Sequence, residues 1–216
     1  MAQDSFQAQY DVTKKSRIKI FFDKYKIKIY SFLAILVISI FSLFLYMDYK
    51  EDKKILLAEK YVNAKIYIKN QENQKAKKIL YDLIHSNNSV YSILAFFLVL
   101  NENLIKDQKE ISELFESVLA NNDFDNDTKN LIILKKAIFK SNFANENEML
   151  NEIKPIIKSN SVWKPHALLL MGDYFVSKKE YLKSKDFYNQ ILTMKNLHQD
   201  FYYKANSRLA LISNAK

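Results

Sequence analysis

A single glycine, Gly172, is present in this chain of 216 residues, and the only prolines are Pro155 and Pro165. Loops that wrap phosphate or dinucleotide ligands need several glycines where the backbone approaches the ligand, so such sites are excluded. A sandwich or barrel of many short strands needs frequent turn residues, which are missing here. The scarcity of helix-breaking residues therefore predicts an all-α protein.

Residues that carry catalytic or metal chemistry are equally scarce. Cysteine is absent, which excludes disulfides, thiolate nucleophiles, cysteine-ligated metals and cysteine-linked lipid anchors. His85, His166 and His198 are far apart in the sequence, and the acidic run at 123–127 lacks the glycine and the final glutamate of a calcium loop. The Ser-x-x-Lys sequences at 16–19 and 161–164 lack the companion motifs of acyl-transfer enzymes. We therefore predict no catalytic, cofactor-binding or metal-binding residue, and we do not expect an enzyme.

Residues 29–47 form a run of nineteen residues without a charged side chain. As a helix this run would be about 28 Å long, close to the hydrocarbon thickness of a bilayer. Tyr25, Tyr30, Tyr46 and Tyr49 stand near its two ends, where aromatic rings favour the membrane interface. The run exceeds the apolar core of a signal peptide, and no small-residue cleavage pattern follows it. A core helix of this length would normally contain more polar residues, so the run predicts an uncleaved transmembrane helix.

Basic residues are concentrated before this segment. The chain has 33 lysines and arginines and a net charge of +9; seven of these residues lie at 14–28, whereas four lie at 48–60 among four acidic residues. The positive-inside rule then places the N-terminus in the cytoplasm. We predict a basic cytoplasmic segment at 1–28, a transmembrane helix at 29–47 and a periplasmic domain at 48–216, in a bacterial inner membrane. The lysines of that domain are expected to form a solvated surface, and no nucleic-acid motif is evident.

Beyond residue 48 the apolar residues recur with the period of a helix. Stripes at i, i+3, i+4 and i+7 begin at Ala76 and Ile111, and a last stripe begins at Phe201. A similar stripe with one small residue consists of Tyr181, Ser184, Tyr188, Ile191 and Leu192. Short polar breaks separate the stripes, which predicts antiparallel helical hairpins. The run at 90–100 is apolar nearly all round and predicts a helix buried on both sides, in the middle of the stack.

Several residues carry the signals of helix ends. Asp127 or Thr128, Ser89 and Ser161 are expected to cap helices. Pro155 is expected to end or kink its helix. Pro165 is tolerated only in a first turn, so a helix should begin near 162–165.

The hairpins resemble tetratricopeptide repeats. The stretch 168–196 matches that pattern, with Gly172 at the small position of the first helix, and a second match at 60–88 has Ala64 there. Two degenerate hairpins lie between them, at 91–120 around Ala95 and at 128–158 around Ala137, and residues 199–214 predict a capping helix. The predicted fold is therefore all-α: one N-terminal transmembrane helix, a tetratricopeptide-like stack of hairpins and a C-terminal capping helix.

This order of parts resembles the YfgM-like family, the ancillary subunit of the bacterial Sec translocon. The matching stretches are IKIFFDKYKIKIY (18–30) ahead of the membrane segment, SNNSVYSILAFFLVL (86–100) and VWKPHALLLMGDYFVSKKEYLKSKDFYNQIL (162–192). The resemblance implies an inner-membrane protein whose periplasmic domain associates with the SecYEG channel and with periplasmic chaperones, and helps to hand over emerging polypeptides. It identifies no partner-binding residue.

Two other roles stay open at this point. One is a different tetratricopeptide scaffold in the same membrane, serving envelope or cytochrome assembly. The other is an organelle receptor whose repeats face the cytosol, which requires the opposite topology. An apolar face left open on a terminal helix would also allow a homodimer.

Overall fold

The computed structural model describes residues 17–121 and 123–213, and these residues form nine α-helices, which confirms the all-α prediction. Lys14, Lys15 and residue 214 of the predicted capping helix lie outside the described residues. The helices are α1 (Arg17–Lys69), α2 (Asn73–Ile84), α3 (Ser89–Asn101), α4 (Gln108–Asn121), α5 (Asn126–Lys140), α6 (Glu146–Lys158), α7 (Lys164–Ser177), α8 (Tyr181–Leu192) and α9 (Gln199–Ser213).

Helix α1 is 53 residues long and contains the uncharged segment at 29–47. Within the described part of the chain it is the one helix long and apolar enough to cross a membrane. The side chains at 31–47 are all exposed, and the exposed fractions of Phe41 and Phe44 are 63% and 61%. This exposure distinguishes the segment from the core helix of a globular domain, which would bury such residues.

The chain divides into two compact units, Met1–Ala58 and Glu59–Lys216. The second unit, which we call the helical stack, contains the end of α1 and helices α2 to α9. Within it α2 packs on α3, α5 on α6, α6 on α7, α7 on α8 and α8 on α9, and α7 also contacts α5 and α9. Packing between sequence neighbours, with further contacts between helices two apart, is that of a stack of helical hairpins.

Each odd-numbered helix from α1 to α9 buries at least one small residue in the stack. Ala64, Ala95, Ala137 and Ala205 have no exposed area, and Gly172 is buried as well. A small side chain at a contact lets a neighbouring helix approach closely, because the distance between helix axes is set by the residues between them. The four predicted small positions are buried, and Ala205 extends the series to the capping helix.

Gly172 of α7 lies directly under the ring of Tyr188 from α8, and a Cβ atom at this position would overlap that ring. Ser184 Oγ donates a hydrogen bond to the Gly172 carbonyl oxygen at 2.9 Å. Tyr188 Oη donates to Asp173 Oδ1 at 2.7 Å, and Arg208 Nε of α9 donates to the same oxygen at 2.9 Å. Burial and the hydrogen bond to Asp173 raise the pKa of Tyr188, so the phenol is neutral. The contact at Gly172 joins α7 to α8, and the hydrogen bonds of the next residue, Asp173, extend this connection to α9.

At several helix ends, residues other than glycine adopt the left-handed backbone conformation that glycine usually provides. Gln71, Asn103 and Lys179 follow α1, α3 and α7 with φ angles of 62°, 50° and 62°. At Lys179 the backbone N–H bonds to the carbonyl of Val176 at 2.9 Å, and the next N–H bonds to that of Phe175 at 2.9 Å. These two bonds form a Schellman motif, which satisfies carbonyls of the last helical turn. Because these positions lack glycine, the sequence signals these helix ends only weakly.

All three predicted N-caps are wrong: Trp163, not Ser161, stands at the N-cap position of α7, and it makes no side-chain cap hydrogen bond. Asn88, not Ser89, caps α3, and its side chain accepts two backbone N–H groups of the first turn at 3.2 Å and 3.1 Å. Asp125 caps α5 and accepts the backbone N–H of Thr128 at 2.9 Å, while Asp127 lies inside the first turn. Asn88 and Asp125 have the extended backbone that turns a cap side chain toward the helix, whereas the residues predicted to cap these two helices are already helical.

The predictions for the two prolines have different outcomes. Pro155 lies inside α6, which continues to Lys158, so the first of its two predicted effects, an end of the helix, is wrong, while the kink stays a prediction. Pro155 is exposed, and water can bond the carbonyl that its missing N–H leaves free. Helix α7 begins at Lys164 with Pro165 in its first turn, as predicted. Ser161 accepts the backbone N–H of Trp163 at 3.2 Å, so it closes a turn before the helix.

A buried ion cluster joins α4, α5 and α6. The Lys136 ammonium lies 2.6 Å from Glu116 Oε1 and 2.8 Å from Glu152 Oε1, and Lys140 Nζ lies 2.9 Å from Glu152 Oε2. The side chains of Lys136 and Glu152 are 8% and 11% exposed, so the expectation of a solvated lysine is wrong here. Burial lowers the pKa of Lys136, but the hydrogen bonds to Glu116 and Glu152 outweigh it, and the pKa is raised overall. Lys136 is therefore charged at neutral pH.

We expect Lys136→Met to lower the free energy of unfolding of the helical stack by about 2–4 kcal/mol, because Glu152 stays largely buried after losing one of its two cations. The matched control is Lys135→Met. Lys135 is the exposed neighbour; its ammonium lies 5.9 Å from the centre of the Phe97 ring and forms no ion pair with a described residue. The control should cost less than about 1 kcal/mol. Urea unfolding of the full chain in detergent, followed by circular dichroism, measures both, and equal losses would contradict the assigned role of Lys136.

Gly172→Ala should destabilise the stack by about 1–3 kcal/mol, because the added methyl group forces the Tyr188 ring to move. This loss should exceed the gain of about 1 kcal/mol from the higher helix propensity of alanine. Thermal unfolding of the same preparation measures the change. In a Tyr188→Leu background the ring is absent, so Gly172→Ala should cost much less. An equal cost in both backgrounds would show that the ring overlap is not the cause.

Candidate protein-interaction surface

The three histidines occupy separate parts of the stack. His85 lies at the end of α2, 3.3 Å from Ser117 Oγ. His166 lies in α7 with its ring 4.8 Å from that of Phe201, and His198 precedes α9 beside Asp200. Burial, together with nearby Lys204, lowers the pKa of His166. Among the described residues no group of three or more histidine, aspartate or glutamate side chains could hold a metal ion.

Within the described residues, several clefts are lined by pairs of odd-numbered helices. The first lies between α1 and α3 and has a volume of about 480 Å³. The second, of about 230 Å³, is lined by α3, α5, the start of α4 and the α3–α4 connection. The third lies between α7 and α9 and has a volume of about 320 Å³. We call the surface lined by residues 59–69 of α1 together with α3, α5, α7 and α9 the odd-helix face.

The first cleft is mainly apolar with a charged rim. Its largest exposed apolar side chains are Val62 and Ile66 of α1, with exposed fractions of 54% and 50%. They are four residues apart and therefore lie on the same side of the helix. The complete lining consists of Val62, Lys65, Ile66, Ile68, Lys69, Leu98 and Glu102.

Helix α3 is buried on one side only, so the prediction that it is buried on both sides is wrong. Ser92, Ala95, Phe96 and Val99 are buried, whereas Val90 and Leu94 are 60% and 40% exposed. Val90 and Leu94 share a side with Leu98 of the first cleft, since the three residues are spaced by four along the helix. Helix α3 therefore presents a second apolar stripe beside that of α1.

Phe97, Phe115 and Phe139 line the second cleft, and the last two belong to a longer row of aromatic rings. The ring of Phe115 lies 4.7 Å from that of Phe96 and 6.0 Å from that of Phe139, and Phe139 lies 5.2 Å from Phe143. Rings at such distances pack favourably beyond their buried area. This row ties α3, α4 and α5 together beneath the odd-helix face.

The charges of the third cleft already have partners. Arg208 and Asp173 form an ion pair at 2.9 Å, and Asp173 also accepts the hydroxyl of Tyr188. Lys204 Nζ lies 5.7 Å from the centre of the Phe201 ring. The charged residues of this cleft therefore hold α7, α8 and α9 together, and we do not regard the cleft as an open binding site.

Lys65 and Lys69 differ from many lysines of the stack. Lys77 pairs with Glu110 at 3.0 Å, and Lys183 pairs with Glu146 at 2.7 Å. Lys65 and Lys69 are exposed and form no ion pair with any residue that the structure describes. Two unpaired cations therefore stand beside an open apolar cleft.

Comparison of the chain with protein-family models, with curated proteins and with solved structures found no match. The interpretation of this surface therefore depends on the residues and their geometry.

The sequence analysis assigned no partner-binding residue and did not identify the first cleft. Its signals were present: Val62 and Ile66 have helical spacing, with Lys65 and Lys69 one turn apart beside them. They were not decisive, because the same pattern is consistent with a buried helix face until the packing of α1 and α3 is known.

Proposed function

We propose that the chain is a single-pass membrane protein whose helical stack is a scaffold for protein–protein interaction. The observation that carries this proposal is helix α1. It contains an exposed, uncharged segment of membrane-spanning length at 29–47, and the same helix supplies the first helix of the stack. A membrane anchor joined to a repeat stack holds a binding surface at high effective concentration beside membrane partners.

The proposed orientation has the N-terminus in the cytoplasm and the domain at 48–216 in the periplasm of a bacterium. The support is the excess of basic residues at 14–28 over those that follow the segment. Lys24 and Lys28 stand 5.5 Å and 5.8 Å from the centre of the Tyr25 ring. An aromatic ring flanked by lysines is typical of the interface between lipid and water.

The proposed partners are the SecYEG translocon and periplasmic chaperones. The support is the resemblance of the stretches at 18–30, 86–100 and 162–192 to the YfgM-like family. In this role the stack acts by binding: it receives chaperones or emerging polypeptides beside the channel. No step of chemistry is assigned to it.

Fusions to reporters test the orientation. A C-terminal phosphatase that is active only in the periplasm should be active, and a C-terminal fluorescent protein that matures only in the cytosol should be dark. The same reporters fused to the N-terminus are the control and should give the opposite pattern. A bright cytosolic reporter at the C-terminus would contradict the proposal and favour a receptor whose repeats face the cytosol.

Photo-crosslinking in native membranes tests the partners. A photoreactive amino acid in place of Ile66, in the first cleft, should give adducts with subunits of SecYEG. The matched control replaces Leu182, which is 80% exposed and lies in the first turn of α8, outside the first cleft. Adducts with envelope- or cytochrome-assembly proteins, without any SecYEG subunit, would contradict the translocon proposal in favour of the alternative scaffold.

A further inference from the structure

We propose that the first cleft of the odd-helix face, between α1 and α3, binds a helical segment of a partner protein that carries acidic side chains beside bulky apolar ones. This inference rests on the proposed scaffold function and names the chemistry of the partner. It depends on three features of the cleft: its shape, its apolar floor and its charge.

The shape of the cleft favours a rod-shaped partner. Val62 and Ile66 of α1 line the cleft together with Leu98 of α3, and the exposed Leu94, four residues before Leu98, extends the apolar stripe of α3 beyond the cleft. A third helix can place its own apolar stripe between α1 and α3, which is the helix-in-groove mode of recognition. A flat bilayer surface would instead contact protruding side chains and leave a trough between two helices unfilled.

The charge of the cleft favours an acidic partner. Lys65 and Lys69 stand on the rim, and Glu102 is the single acidic residue of the lining. Neither lysine has an ion-pair partner among the described residues, so an incoming carboxylate breaks no existing pair. Opposite charge at a rim steers association and selects the partner.

The same charge argues against a second copy of this chain as the occupant. In a two-fold symmetric dimer each cleft would face an identical cleft, so the lysines of one copy would approach those of the other. A cleft with two cations and one anion is not complementary to itself. An acidic segment satisfies both the apolar floor and the rim.

The test uses the full chain in nanodiscs of phosphatidylcholine and labelled peptides of about twenty residues, long enough to form a helix. One peptide carries leucines at a spacing of four with glutamates on both flanks; in the other, lysines replace all glutamates. Fluorescence anisotropy measures the dissociation constants, with empty nanodiscs as the background. The acidic peptide should bind at least about tenfold more tightly than the basic one, a difference of about 1.4 kcal/mol.

Substitutions in the cleft locate the binding. Lys65→Glu/Lys69→Glu should weaken the acidic peptide about tenfold and strengthen the basic one. Lys65→Glu alone keeps the positive charge that Lys69 supplies to the last turn of α1, and should weaken the acidic peptide about threefold. Val62→Ser/Ile66→Ser should weaken both peptides. The matched control, Lys154→Glu/Lys195→Glu, makes the same charge change at exposed lysines outside the cleft and should alter binding less than about twofold.

Three results would overturn the proposal. The two peptides could bind equally well, or the charge-reversed cleft could keep the preference for the acidic peptide. Self-association of the chain that is lost in Val62→Ser/Ile66→Ser would identify a second copy as the occupant. The reporter and crosslinking experiments do not use these peptides, so a failure here leaves the proposed orientation and translocon partner standing, whereas failures there would remove them without deciding what the cleft binds.

Discussion

The close approach of neighbouring helices at small buried residues is the constraint on which the helical stack depends. Every odd-numbered helix contributes at least one such residue, from Ala64 in α1 to Ala205 in α9. The clearest instance is Gly172, where the Tyr188 ring occupies the space that any Cβ atom would need. Through the Tyr188 hydroxyl this contact continues to Asp173 and from there to Arg208. A position without a side chain thus orders a polar network across three helices, since the ring can reach its partner only by lying on the helix backbone.

Buried ion pairs between helices lie next to this apolar packing. The core of α5, α6 and α7 centres on residues such as Met149, Ile153 and Met171, and next to it Lys136 holds Glu116 and Glu152 across three helices. A buried ion cluster contributes less net stability than apolar packing of equal volume, but its geometry is directional. It therefore favours one relative placement of α4, α5 and α6. The lysines of this cluster are occupied by their carboxylate partners, whereas Lys65 and Lys69 form no ion pair with a described residue and line the first cleft.

The proposed interaction surface follows from how the stack begins. Helix α3 is apolar on all sides, yet only the side with Ala95, Phe96 and Val99 is covered. Its remaining stripe includes Val90 and Leu94, which are exposed, and Leu98, which lines an apolar cleft together with Val62 and Ile66 of α1. Adjoining apolar residues that are exposed to water raise the free energy of the protein, and a helix that covered them would remove this unfavourable contribution. The binding chemistry proposed for the cleft is thus a consequence of incomplete coverage in the packing.

The sequence by itself determined the class and the order of parts, because these follow from local physics. An uncharged run of nineteen residues requires a helix with its backbone bonds satisfied internally, and the absence of helix breakers together with a period of 3.6 gives hairpins with recognisable small positions. Only the tertiary structure decided which polar and apolar residues are buried. Lys136 and Lys65 are both lysines on helices, but Glu116 and Glu152 from two other helices enclose Lys136 while no described residue pairs with Lys65. In the same way the exposed stripe of α3 could not be predicted, because burial depends on which neighbours cover a helix, and that depends on contacts between residues far apart in the chain.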